Sequence, residues 1–165
     1  MRLNDLAARL LRLSKVLHAW LELLTGLDTA RRRRISIYAD EIAATLGRAA
    51  DALARLNIEA DNKARAPAAS HQQARELRRE LSRELSRELG RIAGYVEDIV
   101  FLLEDHLDGR KLAGVKRRLQ ALAGLGCDAE IAVAPELAVT MTGHHIKRLS
   151  EAEGYFRSLA DGLRI

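Results

Sequence analysis

Residues 35–56 read ISIYADEIAATLGRAADALARL, and their apolar side chains recur with the period of an α-helix. The spacing alternates between four and three residues, which puts these side chains on one helix face. The seam consists of Ile35, Ala39, Ile42, Leu46, Ala49, Leu53 and Leu56. Its alanines let a neighbour approach closely, so the stretch predicts a helix packed along a heptad seam against another helix.

A second seam of the same kind lies near the beginning of the chain. Its spacing predicts a first helix from Leu3 to Leu24, and Asp28 or Thr29 is expected to cap the helix that follows. The seam consists of Leu3, Leu6, Leu10, Leu13, Leu17, Trp20, Leu24 and Leu27. Further apolar residues widen this face, so we expect the first helix to be buried on more than one side.

The third predicted helix runs from Ser70 to Leu107 and begins with a four-residue Arg-Glu-Leu repeat. A period of four drifts around the helix, and its leucines form a candidate face for a helical partner. These leucines are Leu77, Leu81, Leu85 and Leu89. Each glutamate of the repeat precedes an arginine by three residues, which favours a solvated face of ion pairs within the helix. Heptad spacing then returns at Ile92, Val96, Ile99 and Leu103.

The predicted third helix is much longer than the predicted first helix. With about 38 residues it would span roughly 57 Å, against roughly 33 Å for the first helix. Gly90 and Gly94 lie one turn apart in it and predict either close packing or a bend. Either the long helix bends there, or part of the second and third helices projects as a hairpin with an exposed apolar seam that needs a partner.

Two shorter helices complete the predicted fold. One runs from about Lys111 to Ala123, and the last begins at Pro135, with Gly143 as a candidate interruption. The inward face of the last helix is predicted to consist of Leu137, Met141, His145, Leu149, Ala152, Phe156, Leu159 and Leu163. Residues 57–69, which contain Pro67, are predicted to connect the second and third helices.

Composition supports an all-α chain of one domain. Leucine (28 residues) and alanine (27) make up a third of the 165 residues, whereas aromatic residues are 4%. A β-sandwich or barrel would need more aromatic and β-branched residues. We therefore predict a single domain over residues 1–165. Its predicted architecture is an antiparallel up-and-down bundle of four to five helices with coiled-coil-like heptad packing.

Basic residues gather where the second and fourth predicted helices begin. The chain has a formal net charge of +4, and this end forms a candidate contact for nucleic acid, other anions or an acidic partner. The candidates are Arg31, Arg32, Arg33, Arg34, Arg110, Lys111, Lys116, Arg117 and Arg118. The alternative is that nearby acids neutralise them, which the sequence leaves open. Those acids are Glu97, Asp98, Glu104, Asp105 and Asp108.

The sequence contains no recognisable catalytic or cofactor motif. Gly124 and Gly126 match a relaxed dinucleotide fingerprint, but they follow a helix rather than a strand. The adjacent His144 and His145 point to different sides of a helix and are not predicted to bind a metal. We therefore expect a protein that is not an enzyme and that holds no cofactor or metal.

The cellular expectations follow from what the chain lacks. It has no apolar run long enough for a membrane span, and Asp5 falls where a secretory signal would need an apolar core. Cys127 is the one cysteine, so no disulfide can form within the chain. These features predict a cytoplasmic protein without membrane contact.

The sequence supports three functional hypotheses. The first is a helical adaptor, scaffold or accessory subunit that acts by protein–protein contact and self-associates through an exposed part of its seams. The second is an accessory subunit that binds nucleic acid through the basic end. The third and weaker one is a bundle that binds a small ligand near Trp20, Tyr38 or Tyr95.

Overall fold

The computed structural model describes residues 3–65, 71–106, 108–123 and 139–164. Within these ranges the chain is helical apart from short turns and contains no strand, which confirms the all-α prediction. The helices are α1 (Leu3–Ala19), α2 (Leu21–Thr25), α3 (Thr29–Arg65), α4 (His71–Leu103), α5 (Gly109–Ala123) and α6 (Val139–Leu163).

The first predicted helix is interrupted at Trp20, between α1 and α2. The Trp20 amide donates a hydrogen bond to the Leu17 carbonyl oxygen at 3.1 Å, a bond to the third residue back that tightens the turn. The regular spacing returns where the Leu24 amide donates to the Trp20 carbonyl oxygen at 2.9 Å. The expected continuity from Leu3 to Leu24 is therefore wrong, although Leu17 and Leu24 are both fully buried.

The helix α3 begins where it was predicted to begin and ends later. Asp28 caps it, because its Oδ2 atom accepts a hydrogen bond from the Arg31 amide at 3.2 Å. The helix continues to Arg65, well past the expected end near Asn57 and into the predicted connector. Residues 57–65 contain neither proline nor glycine, so no residue there stops a helix. Pro67 lies outside the described residues.

The helix α4 runs without interruption through Gly90 and Gly94 and ends at Leu103, earlier than the expected Leu107. A methyl group added at Gly94 would meet no atom within 4 Å, so this glycine does not serve close packing within the described chain. Asp108 then caps α5 by accepting a hydrogen bond from the Lys111 amide at 2.9 Å.

The helix α6 begins at Val139 and is continuous through Gly143, which does not interrupt it. Pro135 and Leu137 lie outside the described residues, as does the side chain of Met141. The described members of the predicted inward face are all buried, which confirms that part of the prediction. They are His145, Leu149, Ala152, Phe156, Leu159 and Leu163.

The helix α3 packs against α6 in the antiparallel sense. The Ser36 hydroxyl donates a hydrogen bond to the Ala160 carbonyl oxygen at 2.8 Å. Further along α3, a methyl group added at Gly47 would lie 3.2 Å from the Glu153 carboxylate. Residue numbers thus rise on one helix as they fall on the other, and the small residue at position 47 leaves room for a polar side chain of α6.

The opposite flank of α3 packs against α4, also in the antiparallel sense. The rings of Tyr38 and Tyr95 lie 6.0 Å apart, and Arg48 pairs with Glu88 at 3.1 Å. These two contacts fix the register of α3 against α4. The helix α3 therefore joins α4 to α6.

The helix α1 runs parallel to α6. His18 lies 3.1 Å from the Ser158 hydroxyl, and the Lys15 ammonium lies 5.9 Å from the centre of the Tyr155 ring. Residue numbers rise together on the two helices, which defines the parallel sense. The shorter helix α5 contacts both α4 and α1.

The described members of the two predicted seams supply much of the core. In the first seam, Leu10, Leu13, Leu17 and Leu24 are at most 1% exposed, while Trp20 is half-buried. In the second seam, the described members have the same low exposure. They are Ile35, Ala39, Ile42, Leu46, Ala49 and Leu53. Among the described helices, none is long and apolar enough to cross a membrane.

The two phenylalanines of the chain give a matched test of this burial. Phe156 is fully buried and Phe101 is 74% exposed. We expect Phe156→Ala to lower the free energy of unfolding by about 3–5 kcal/mol, because it leaves a cavity in the core. Phe101→Ala should lower it by less than about 1 kcal/mol. Urea denaturation in dilute solution measures both, and equal losses would contradict the packing of α6.

One titratable side chain lies inside the core. His145 is 3% exposed, and its Nδ1 atom has no hydrogen-bond partner among the described residues. Burial lowers the pKa of His145 below its usual value of 6.5, and the charges of Arg148 and His144 lower this pKa further. The folded state therefore favours the neutral imidazole.

This lowered pKa predicts a pH dependence of stability. As the pH falls below 6.5, the unfolded chain takes up a proton on His145 that the folded chain does not, so the free energy of unfolding decreases. His145→Gln should make the decrease clearly smaller, whereas His144→Gln removes only the last of the three causes of the lowered pKa and should have a lesser effect. Urea denaturation across this pH range compares the variants, and equal slopes for all three proteins would contradict the assignment.

Candidate interaction surface

The structure places the predicted basic residues at the end of the molecule where α3 and α5 begin. Because α3 is antiparallel to α4, its first turns are level with the last turns of α4, and α5 follows α4 after a short turn. The arginines at positions 31–34 oppose the positive dipole of the α3 amino terminus. Helix formation therefore does not explain their presence.

Three of these basic residues have an acidic partner. Arg31 lies 3.6 Å from Asp28, which also caps α3. The other two pairs join Lys111 to Asp108 at 4.0 Å and Lys116 to Glu104 at 3.2 Å. Asp108 and Glu104 belong to the predicted neutralising acids, so neutralisation of the basic end occurs in part.

Other members of the basic end lack an acidic partner. Arg33, Arg34 and Arg110 are exposed and make no ion pair with the described residues. Arg32 donates to the Thr25 carbonyl oxygen at 3.5 Å, and its Nε atom is buried without a described partner. Arg117 donates to the Ala113 carbonyl oxygen at 3.5 Å. The side chain of Arg118 lies outside the described part of the chain.

The remaining predicted acids lie close in sequence to an exposed aromatic side chain. Phe101 is 74% exposed, the largest exposure among the described large apolar side chains. Glu97 and Asp98 lie four and three residues before it and share its helix face, whereas Asp105 lies in the turn that follows α4. None of the three forms an ion pair with the described residues. We call Glu97, Asp98 and Phe101 the α4 patch.

Sequence reasoning missed Phe101, although the sequence holds a signal for it. Residues 99–103 read IVFLL, and five consecutive apolar residues cannot all face one side of a helix. The structure buries Ile99, Val100 and Leu103 and leaves Phe101 outside.

A basic counterpart of the α4 patch lies on α3. Ile37 is 55% exposed, and Arg33 and Arg34 precede it by four and three residues, which places all three on neighbouring positions of the outer surface. We call these three residues the α3 patch. The two patches have opposite charge, and each contains one exposed apolar side chain.

The Arg-Glu-Leu repeat of α4 pairs with α3 more than with itself. Of the four predicted pairs within the helix, the described side chains form one, between Glu88 and Arg91 at 3.8 Å. Glu88 also accepts from Arg48 at 3.1 Å, and Glu84 accepts from Arg55 at 3.2 Å. The prediction of ion pairs within the helix therefore holds for one pair, while other glutamates of the repeat contact α3.

The leucines of the repeat remain a predicted partner face. Their positions all lie on α4. Their side chains lie outside the described part of the structure, so the proposed partner face is not tested. They are Leu77, Leu81, Leu85 and Leu89.

The aromatic residues of the predicted ligand pocket pack against the hydrophobic core. They are Tyr38, Tyr95 and Trp20, and each is half-buried. Within the described residues, no group of three or more His, Cys, Asp and Glu side chains is arranged to hold a metal. Cys127 lies outside the described residues.

Comparisons with known proteins give no functional lead. No protein-family model, no curated protein and no solved structure matches this chain. Evidence for a function therefore comes from the charges, exposed side chains and packing of the chain itself.

The ion pairs between α3 and α4 predict unequal effects of two similar substitutions. The Glu88 side chain is 13% exposed and contacts two arginines, whereas the Glu84 side chain is 40% exposed and contacts one. Glu88→Gln should lower the free energy of unfolding by about 1 kcal/mol and Glu84→Gln by about 0.3 kcal/mol, since exposed pairs are screened by solvent. Chemical denaturation checks this order, and a larger loss for Glu84→Gln would contradict it.

Proposed function

We propose that this chain is a non-enzymatic cytoplasmic protein that acts by protein–protein contact, as an adaptor, scaffold or accessory subunit, and that it self-associates. In this proposal its helices form an antiparallel bundle of four to five members packed by heptad seams. The observation that carries the proposal is the exposure of Phe101, which is 74%, among unpaired carboxylates.

An exposed phenylalanine in this setting supports a protein partner. Fully burying such a side chain contributes roughly 1.5–3 kcal/mol, an energy that Phe101 does not provide to the isolated fold. Protein interfaces commonly place an aromatic side chain at the centre and charged groups at the rim. The α4 patch fits this arrangement, because Phe101 has the carboxylates of Glu97 and Asp98 beside it on the same helix face.

The nucleic-acid hypothesis is the second candidate. Its support is that Arg33, Arg34 and Arg110 make no ion pair with described residues. The carboxylates of Glu97 and Asp98 lie at the same end and weaken the positive potential that attracts phosphates. The protein-contact proposal therefore has the stronger support.

Photo-crosslinking at position 101 tests the proposed function. We expect para-benzoylphenylalanine in place of Phe101 to form protein crosslinks in cells of the native host, because this side chain would lie inside an interface. The same group in place of Gly154, an exposed position on α6, serves as the control. Absence of protein crosslinks specific to position 101 would contradict the proposal.

A nucleic-acid binding assay distinguishes the nucleic-acid hypothesis from the protein-contact proposal. Fluorescence anisotropy with labelled single- and double-stranded oligonucleotides at low salt should show no specific affinity for the chain. Affinity that falls with salt and disappears when Arg33 and Arg34 are replaced by Glu would favour the nucleic-acid hypothesis instead.

A further inference from the structure

We infer that a second copy of this chain docks on the outer face of α3 and α4, with the α3 patch of one copy against the α4 patch of the other. The inference rests on the proposed function and names the partner and the surface. Each copy carries both halves of the contact, one basic and one acidic. Each half also presents an exposed apolar side chain, Ile37 or Phe101.

The two patches lie side by side at one level of the molecule. The contact between Tyr38 and Tyr95, 6.0 Å between ring centres, sets that level. Because α3 and α4 are antiparallel, a residue one turn before Tyr38 on α3 lies level with a residue one turn after Tyr95 on α4. Arg34, four residues before Tyr38, is therefore level with Asp98, three residues after Tyr95.

A two-fold axis relating two copies would bring the α3 patch of each copy against the α4 patch of the other. If the axis runs parallel to the helices between the two copies, the rotation keeps every residue at its level and exchanges the positions of α3 and α4. The helix α3 of one copy then lies over α4 of the other, and the two contacts form together, as in other isologous interfaces.

The apolar side chains fit this geometry. Ile37 is next to Tyr38 and so is level with the stretch of α4 that contains Gly94, where an added methyl group would meet no atom within 4 Å. Gly94 thus leaves room for Ile37 of the second copy. Phe101 is level with the first turns of α3, where the guanidinium groups of Arg33 and Arg34 stack favourably on an aromatic ring.

Charge favours a second copy over a partner of a single sign. An acidic partner would be repelled by Glu97 and Asp98, and a basic partner would be repelled by Arg33 and Arg34. Within one copy these groups make no ion pairs with described residues, so they are available to a partner. A second copy brings opposite charge to both patches.

Charge reversal on the full chain tests the inference. One variant carries Arg33→Glu and Arg34→Glu, and the other carries Glu97→Lys and Asp98→Lys. We expect the wild-type chain to reach twice its 18.3 kDa mass by sedimentation and light scattering, and each variant alone to associate at least tenfold more weakly. An equimolar mixture of the two variants should form a heterodimer, because each patch then meets its opposite charge.

A pair of glycine substitutions tests whether the open space at Gly94 lies in the dimer contact. Gly94 and Gly154 are both exposed, both lie inside a helix, and an added methyl group at either would meet no atom within 4 Å. Gly94→Gln should weaken dimerisation at least tenfold, because it fills the space assigned to Ile37. Gly154→Gln should leave dimerisation unchanged, and circular dichroism confirms that all variants fold.

The outcomes separate this inference from the proposed function. A wild-type chain that stays monomeric at all concentrations, or variants that dimerise as well as the wild type, would overturn the inference. Crosslinking of residue 101 to a different protein would in that case still support the proposed action by protein–protein contact, without its self-association. A mixture of variants that fails to associate, although the wild type dimerises, would also overturn the assigned pairing of patches.

Discussion

Burial of the apolar seam of α3 is the contact on which the rest of the structure depends. Ile35, Ile42 and Leu46 are fully buried, and the helix that carries them packs against α6 on one flank and α4 on the other. The helix α1 contacts α6, and α5 contacts α4 and α1, so both are positioned through partners of α3. With its seam turned inward, α3 presents Arg33, Arg34 and Ile37 to the outside.

The sequence predicted helices and their buried faces well, because heptad spacing is a local property that survives in the folded chain. It predicted helix ends less well. The turn at Trp20 depends on a hydrogen bond to Leu17 that spacing does not encode. The extension of α3 to Arg65 follows from the absence of a breaking residue before Pro67.

The candidate surface was predicted in part. The basic residues and nearby acids are visible in the sequence, but which of them pair depends on where neighbouring helices lie. Glu84 and Glu88 were assigned partners within α4, yet both contact arginines of α3. Phe101 was missed because an apolar residue beside a heptad seam resembles core until the helix orientation is known. Burial of Ile99 and Leu103 fixes that orientation and turns Phe101 outward.

Fluorine NMR of the chain labelled with para-fluorophenylalanine tests most directly the claim that a second copy docks on the outer face of α3 and α4. The chain has two phenylalanines, so the label reports separately on the buried ring of Phe156 and the exposed ring of Phe101. If the face of α3 and α4 contacts a second copy, the Phe101 resonance shifts with protein concentration while the Phe156 resonance stays in place. Two resonances that are both independent of concentration would contradict the account.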